Sequence, residues 1–247
     1  MFITFKKWTA LYVATILALF AIFAAILWQG NAVNASKNLE LKQSGEFILI
    51  IDPGHGGFDP GAVASDGTAE SGINLAVGLQ MEEMARLLGV ETDMTRREDV
   101  STESDASAAV RQRKNSDLKN RVALVEDTPD AILISVHQNH FTDSRYSGAQ
   151  VFFQRGDANR QWGESAQQVL QEGLDPANGR KAKPMPDGIY LFDHITCPAI
   201  LVECGFLSNG EEAALLCTDA YQRRVAVALA GAYFAGVELF PATRGGT

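Results

Sequence analysis

Short apolar runs alternate along the chain with segments of helical period. Phe47-Ile48-Leu49-Ile50-Ile51 is a continuous apolar run, the pattern of a strand buried on both faces of a parallel sheet. It leads into a glycine-rich turn, Asp52-Pro53-Gly54-His55-Gly56-Gly57. A helix is expected from Ser71 to Leu88, with Leu75, Leu79, Met84 and Leu87 among its apolar positions and Gly89 as its stop. Val90 to Thr95 reads as a second strand. Arg96 to Ser116 is polar and reads as a long surface loop, followed by a short amphipathic helix from Asp117 to Val125. Ala131 to Val136 is another buried strand, ending at His137. Gly148 to Gln154 alternates weakly and suits a strand nearer the sheet edge, and Arg160 to Glu172 is helical. Pro198 to Val202 is a third core strand, ending at Glu203. Thr218 to Gly236 makes a terminal helix packing through Val225, Leu229 and Tyr233. Strands alternating with helices predict one α/β domain with a mostly parallel sheet, and no internal repeat is visible.

The N-terminus has a different pattern. Lys6 and Lys7 precede an uncharged run of 21 residues from Trp8 to Trp28. As a helix, this run spans about 30 Å, the thickness of a bilayer core. The lysines belong on the cytoplasmic side, which sends the rest of the chain outside. Val33-Asn34-Ala35 has the small residues of a signal-peptidase site, yet the run exceeds the roughly 7–15 residues of a cleavable signal. Residues 1–35 are therefore expected to be a signal anchor or a signal peptide, with a buried soluble helix as the plain alternative. Residues 36–46 are polar and read as a linker, 47–237 as the folded domain and 238–247 as a tail. The domain then works at the extracytoplasmic membrane face, or is secreted.

Charge narrows the partners. The chain carries 21 basic and 30 acidic side chains, a net −9. Two of the bases and none of the acids lie before residue 36, so the remainder balances 19 against 30, or −11. That excludes a nucleic-acid binder, which needs a basic footprint; the acidic surface reads as a solubility device. At 46% hydrophobic and 21% charged, the composition is that of a globular domain. Cys197, Cys204 and Cys217 are too few for a disulfide scaffold. A Cys197–Cys204 bridge would join residues near both ends of one short strand, which fits poorly.

His55, His137 and Glu203 each stand at or just past the C-terminal end of a predicted core strand, the edge where open α/β sheets build sites. Neutral imidazole is a common zinc ligand, and a catalytic zinc wants three protein ligands with one open position. Glu70, 15 residues after His55 and just before the first helix, is the best third ligand. Asn74, at i+4 on the same helix face, could hold the Glu70 carboxylate. Glu203 is a lone carboxylate on an apolar strand, where desolvation raises its pKa and suits it to carry protons. The plainer reading makes it a salt-bridged strand-end carboxylate.

Together these segments resemble a known family. They are Ile51-Asp52-Pro53-Gly54-His55-Gly56-Gly57-Phe58-Asp59-Pro60-Gly61-Ala62, Glu70 to Leu75, Ser135-Val136-His137-Gln138-Asn139, and Val202-Glu203-Cys204-Gly205-Phe206-Leu207-Ser208-Asn209. In this order they are similar to the zinc-dependent N-acetylmuramoyl-L-alanine amidases of the Amidase_3 type, over about Glu46 to Val237. The resemblance implies a roughly six-stranded sheet and one zinc ion (Zn2+) held by His55, Glu70 and His137, with Glu203 as the catalytic glutamate. It implies peptidoglycan as substrate, cut at the amide between N-acetylmuramic acid and L-alanine. Val202 to Glu212, then Tyr221-Gln222, resembles the germination-specific cortex amidases of spore-formers. That implies spore-cortex maturation through muramic-δ-lactam, in the forespore intermembrane space, and allows a lipoprotein partner. A vegetative wall amidase, a zinc peptidase acting on wall peptides and a tethered binding module are the alternatives.

The chain departs from the family at Ile189-Tyr190-Leu191-Phe192-Asp193-His194, where an aliphatic-Arg stretch is usual. His194 reads as a surface residue or a substrate contact, and His140 as a surface residue or one beside the ligands. Asp52 and Asn139 flank the ligands and are expected to orient imidazole N–H groups. Arg96 is expected either to ion-pair internally or to meet a substrate carboxylate. Cys204, next to Glu203 in a strand, points to the opposite face and packs.

Overall fold

A computed structural model describes residues 47–241. The sheet has six strands: β1 (Ile48–Pro53), β2 (Thr92–Met94), β3 (Ala131–Asn139), β4 (Gln150–Phe153), β5 (Lys183–Pro184) and β6 (Ala199–Phe206). They lie in the order β2-β1-β3-β6-β4-β5. β2, β1, β3 and β6 are mutually parallel, β4 runs antiparallel to β6, and β5 is parallel to β4. The single mostly parallel α/β domain expected from the alternating pattern is therefore the one observed.

Strand period two divides the core. On one face Leu49, Ile51, Ile132, Ile134, Ile200 and Val202 meet helices α1 (Glu70–Leu87), α3 (Asp157–Leu174) and α6 (Asp219–Phe234). These bring Ile73, Val77 and Met81, then Trp162 and Leu170, then Val225, Leu229 and Tyr233. On the other face Ile50, Leu133 and Leu201 meet α2 (Val110–Asp127) and α4 (Tyr190–His194) through Val125, Leu191 and Phe192. Each such aliphatic side chain, fully buried, contributes about 1.5–3 kcal/mol before entropy is counted. Coverage on both faces explains why the parallel strands are apolar throughout.

Some elements differ from expectation. α2 starts at Val110, inside the supposed long loop, and not at Asp117. Its inward residues are Asp117, Arg121 and Val125, four apart, and none of residues 110–116 is buried, so no hydrophobic period marks its first two turns. β3 and β6 run beyond His137 and Glu203, so both residues lie within paired strands, directly opposite each other. β2 is shorter than the run 90–95, and α3 is longer than expected at both ends. β5, α4 and α5 (Gly210–Leu216) are too short for periodicity to speak. The run Trp8–Trp28 lies outside the described residues; among those described, no helix is long and apolar enough to cross a membrane. All three cysteines are free thiols, and Cys204 is buried on the face opposite Glu203.

Candidate active site and metal centre

The turn after β1 is shaped around its histidine. His55 has φ +62°, the left-handed region that few non-glycine residues adopt. The flanking positions tolerate no side chain. A Cβ on Gly54 would lie 2.1 Å from the His137 ring, and one on Gly61 would lie 2.5 Å from Glu70 Oε2. Two arginines grip the turn by its carbonyls. Arg121 donates to Pro53 O (3.0 Å) and His55 O (2.7 Å). Arg96 donates to Pro53 O, Gly54 O and Ser71 O.

Glu70 opens α1 and sits between two imidazoles. Its Oε1 lies 3.4 Å from His55 Nε2 and 3.0 Å from His137 Nδ1. Donors fix the carboxylate from behind. Asn74 Nδ2 and Gln138 N donate to Oε1 at 3.2 and 3.1 Å, and Ala62 N to Oε2 at 2.8 Å. Asn74 in turn accepts from Gln138 Nε2 and donates to Gly54 O. The two rings meet edge to face, 5.0 Å apart. Burial alone would raise the Glu70 carboxyl, but hydrogen bonds and charge from both histidines hold it well below the usual range. Burial alone would lower His55; Asp59 and Glu70 outweigh it and raise the imidazole to about 9.

Those opposite shifts describe a cluster that favours positive charge at its centre. Donor atoms of His55, Glu70 and His137 all lie within 4.8 Å of one another. Two imidazole nitrogens and one carboxylate oxygen are the donor set of a catalytic zinc. The residues present therefore fit a single divalent ion.

Three of the flanking residues do other work than expected. Asp52 touches neither imidazole. Its carboxylate accepts from Thr95 Oγ1 (2.7 Å), Ser135 Oγ (2.7 Å) and Arg121 Nη1 (2.6 Å), because it lies on the sheet face that α2 covers. Burial would raise it, yet Arg121 and the two hydroxyls hold it at about 2. Asn139 makes no side-chain hydrogen bond to either ring among the described residues; it lies past a strand irregularity, and its carbonyl accepts from Leu207 N. Among the described residues Arg96 forms no ion pair; it is 4% exposed and its hydrogen bonds go to backbone carbonyls, and burial, then the neighbouring Arg121, lowers it to about 10.

The imidazole partner that pattern reading missed is Asp59. Its Oδ2 lies 3.0 Å from His55 Nδ1 and 2.9 Å from Lys114 Nζ. A carboxylate four residues after His55 is the signal that could have found it. Arg121 was missed because nothing in its own helix marks it as reaching β1. His140 is exposed, and His194 is an exposed residue stacked on Tyr190 at 4.0 Å.

Glu203 shares the sheet face of His137, its cross-strand neighbour. Its Oε2 is buried and has no hydrogen-bond partner among the described residues. Burial, the largest influence, raises the carboxyl to about 7 despite the nearby histidines. Glu203, His55 and His137 line a cleft of about 340 Å³, walled by Lys114 and Leu118 of α2 and by the stretch from Gly188 to Phe192.

The Amidase_3 family model, described as N-acetylmuramoyl-L-alanine amidase, matches residues 49–233. The chain belongs to this family. The amidase is 34% identical over 221 residues to the germination-specific N-acetylmuramoyl-L-alanine amidase of Bacillus subtilis (strain 168), covering 89% of this chain and 90% of that protein. It is 24% identical to N-acetylmuramoyl-L-alanine amidase AmiA of Escherichia coli (strain K12), covering 79% and 78%. Among solved structures it is similar to the CwlD amidase of Clostridioides difficile in complex with the GerS lipoprotein. There the TM-score is 0.74 at 34% identity, over 78% of this chain and 100% of that one. The catalytic domain of CwlV from Bacillus (Paenibacillus) polymyxa var. colistinus follows at 0.62 and 26%, over 78% and 99%. The amidase thus acts on cell-wall peptidoglycan, at the amide between N-acetylmuramic acid and L-alanine.

Proposed function

We propose that this amidase is a zinc enzyme of spore-cortex maturation, with His55, Glu70 and His137 as the metal ligands and Glu203 as the proton carrier. The observation that carries the catalytic part is the convergence of three donor atoms within 4.8 Å beside a buried carboxylate oxygen that has no partner. A zinc ion held there supplies Lewis acidity, polarising a carbonyl and acidifying water. Glu203 takes the proton of the attacking water and returns it to the amide nitrogen as the C–N bond breaks. The products are a lactyl carboxylate and a stem peptide with a free amine. Asp59 holds His55 through Nδ1, which leaves Nε2 for the metal. Asn74, Gln138 N and Ala62 N hold the Glu70 carboxylate in place.

The similarity to a germination-specific amidase supports the cortex role. The neighbour solved with the GerS lipoprotein supports a lipoprotein partner for this chain too. The hydrophobic N-terminal run supports a domain tethered outside the membrane by residues 1–35, with 36–46 as linker.

Glu203→Gln should bind zinc as the wild type does and lose roughly 10²- to 10⁴-fold of its hydrolytic rate. Stem-peptide release at the wild-type rate would remove Glu203 from the mechanism. For the cortex role, spores of a deletion strain should lack muramic-δ-lactam; a normal content points to vegetative wall turnover.

A further inference from the structure

The row of the sheet that holds His137 and Glu203 continues into β4. Gln150 lies directly opposite Glu203, so its side chain shares the same face. Gln150 Oε1 accepts from Arg180 Nη1 at 3.1 Å. Arg180 is half-buried and its backbone is fixed on both sides: its N–H donates to Asn178 Oδ1, and its carbonyl accepts from Gln171 Nε2. Its Nε donates to Ser147 O at 2.7 Å, and its guanidinium lies 4.4 Å over the Phe206 ring and 5.6 Å over that of Tyr146.

The guanidinium is thus rigidly aimed, yet its charge meets no carboxylate at ion-pair distance among the described residues. The nearby Glu212 carboxylate is taken up by two backbone donors, Gly148 N and Phe206 N. Within a domain of net −11, residues 180–183 carry Arg180, Lys181 and Lys183 and no acid. With strands about 4.8 Å apart, the guanidinium stands on the order of 10 Å from Glu203, the reach of about three extended residues.

Resting on the amidase reading above, we propose that Arg180 is a recognition site for a free carboxylate on the stem peptide, on the residue that follows L-alanine. The scissile amide would lie at Glu203 and the peptide would run past the C-terminal end of β6 towards Arg180; Gln150, buried between them, holds the guanidinium in place. Arg180 Nη2 and the second Nη1 hydrogen take the carboxylate side by side, and the Phe206 and Tyr146 rings form the floor beneath. A planar fork held in advance loses little entropy on binding, which suits it to this role. A segment of peptidoglycan with that carboxylate masked as a carboxamide offers no such pairing.

The test uses two muramyl-peptide substrates that differ only in that group, carboxylate against carboxamide, with kcat and KM measured for release of the stem amine by the metal-loaded enzyme. The wild type should favour the carboxylate by roughly 10- to 100-fold in kcat/KM, as a charge-assisted pair implies. Arg180→Gln should bring that ratio close to one, and Arg180→Lys should restore part of it. A wild-type ratio near one, or an Arg180→Gln protein that is slower yet keeps the wild-type ratio, overturns the proposal and leaves the amidase reading standing. Cleavage of neither substrate at the lactyl amide would instead bring down the amidase reading, and this proposal with it.

Discussion

At the scale of single residues, the site depends on how each ligand is held. His55 occupies a left-handed backbone position whose carbonyls are gripped by Arg96 and Arg121 and whose ring is gripped by Asp59. The ring contact sets which nitrogen faces Glu70. Asp59→Asn keeps the shape and loses the charge, and should weaken zinc binding about 10- to 100-fold by chelator competition while the melting temperature of the metal-free protein stays near that of the wild type. Unchanged zinc affinity would mean that Asp59 does not orient the ligand. The four residues proposed for chemistry were legible in the sequence because His55, His137 and Glu203 close apolar runs, Glu70 precedes the first helical segment, and the motifs around them occur in the order of a known family. Asp59 and Arg121 were not, because their work is defined by contacts that form only when β1, α1 and α2 come together. Asp52 shows the converse: adjacent to the site in sequence and in the lining of the cleft, it hydrogen-bonds Arg121, Thr95 and Ser135 and neither imidazole.

At the scale of elements, α2 docks through an ion-paired stripe. Arg121 bonds Asp117 within the helix and Asp52 across to β1, with all three buried. A buried pair is fragile when one partner is neutralised. The Asp52 carboxyl sits at about 2 in the folded chain against an ordinary 3.8, so its contribution is complete above about pH 4 and is lost as the pH falls through 2. In equilibrium unfolding between pH 5 and 2, about 2 kcal/mol of the stability lost should come from Asp52. In Asp52→Asn the stability lost over that window should be smaller by about 2 kcal/mol; an undiminished loss in the variant would remove Asp52 as a source. Burial explains what pattern reading could and could not recover. β1, β3 and β6 were visible because parallel strands covered on both faces are apolar throughout. The first two turns of α2 were not, since none of residues 110–116 is buried and no hydrophobic period marks them. The short β5, α4 and α5 carry too few residues for any period to register.

At the scale of the whole molecule, the parts form one device. A parallel sheet brings the ends of β1, β3 and β6 to one edge, and α1 delivers Glu70 there between two histidines. An acidic domain meeting an anionic wall does not depend on a broad basic face, since proximity is proposed to come from the N-terminal segment and recognition from the cleft and the cations at 180–183. The central claim is that a metal at His55, Glu70 and His137 works with Glu203 on the lactyl amide. Mass spectrometry of peptidoglycan digested by the purified domain, after chelation and again after zinc is restored, tests it most directly. The account predicts free lactyl carboxyls and intact stems beginning with L-alanine, abolished by chelation and returned by one equivalent of zinc. Cleavage that persists in the chelated protein, or products shortened within the stem, would contradict it.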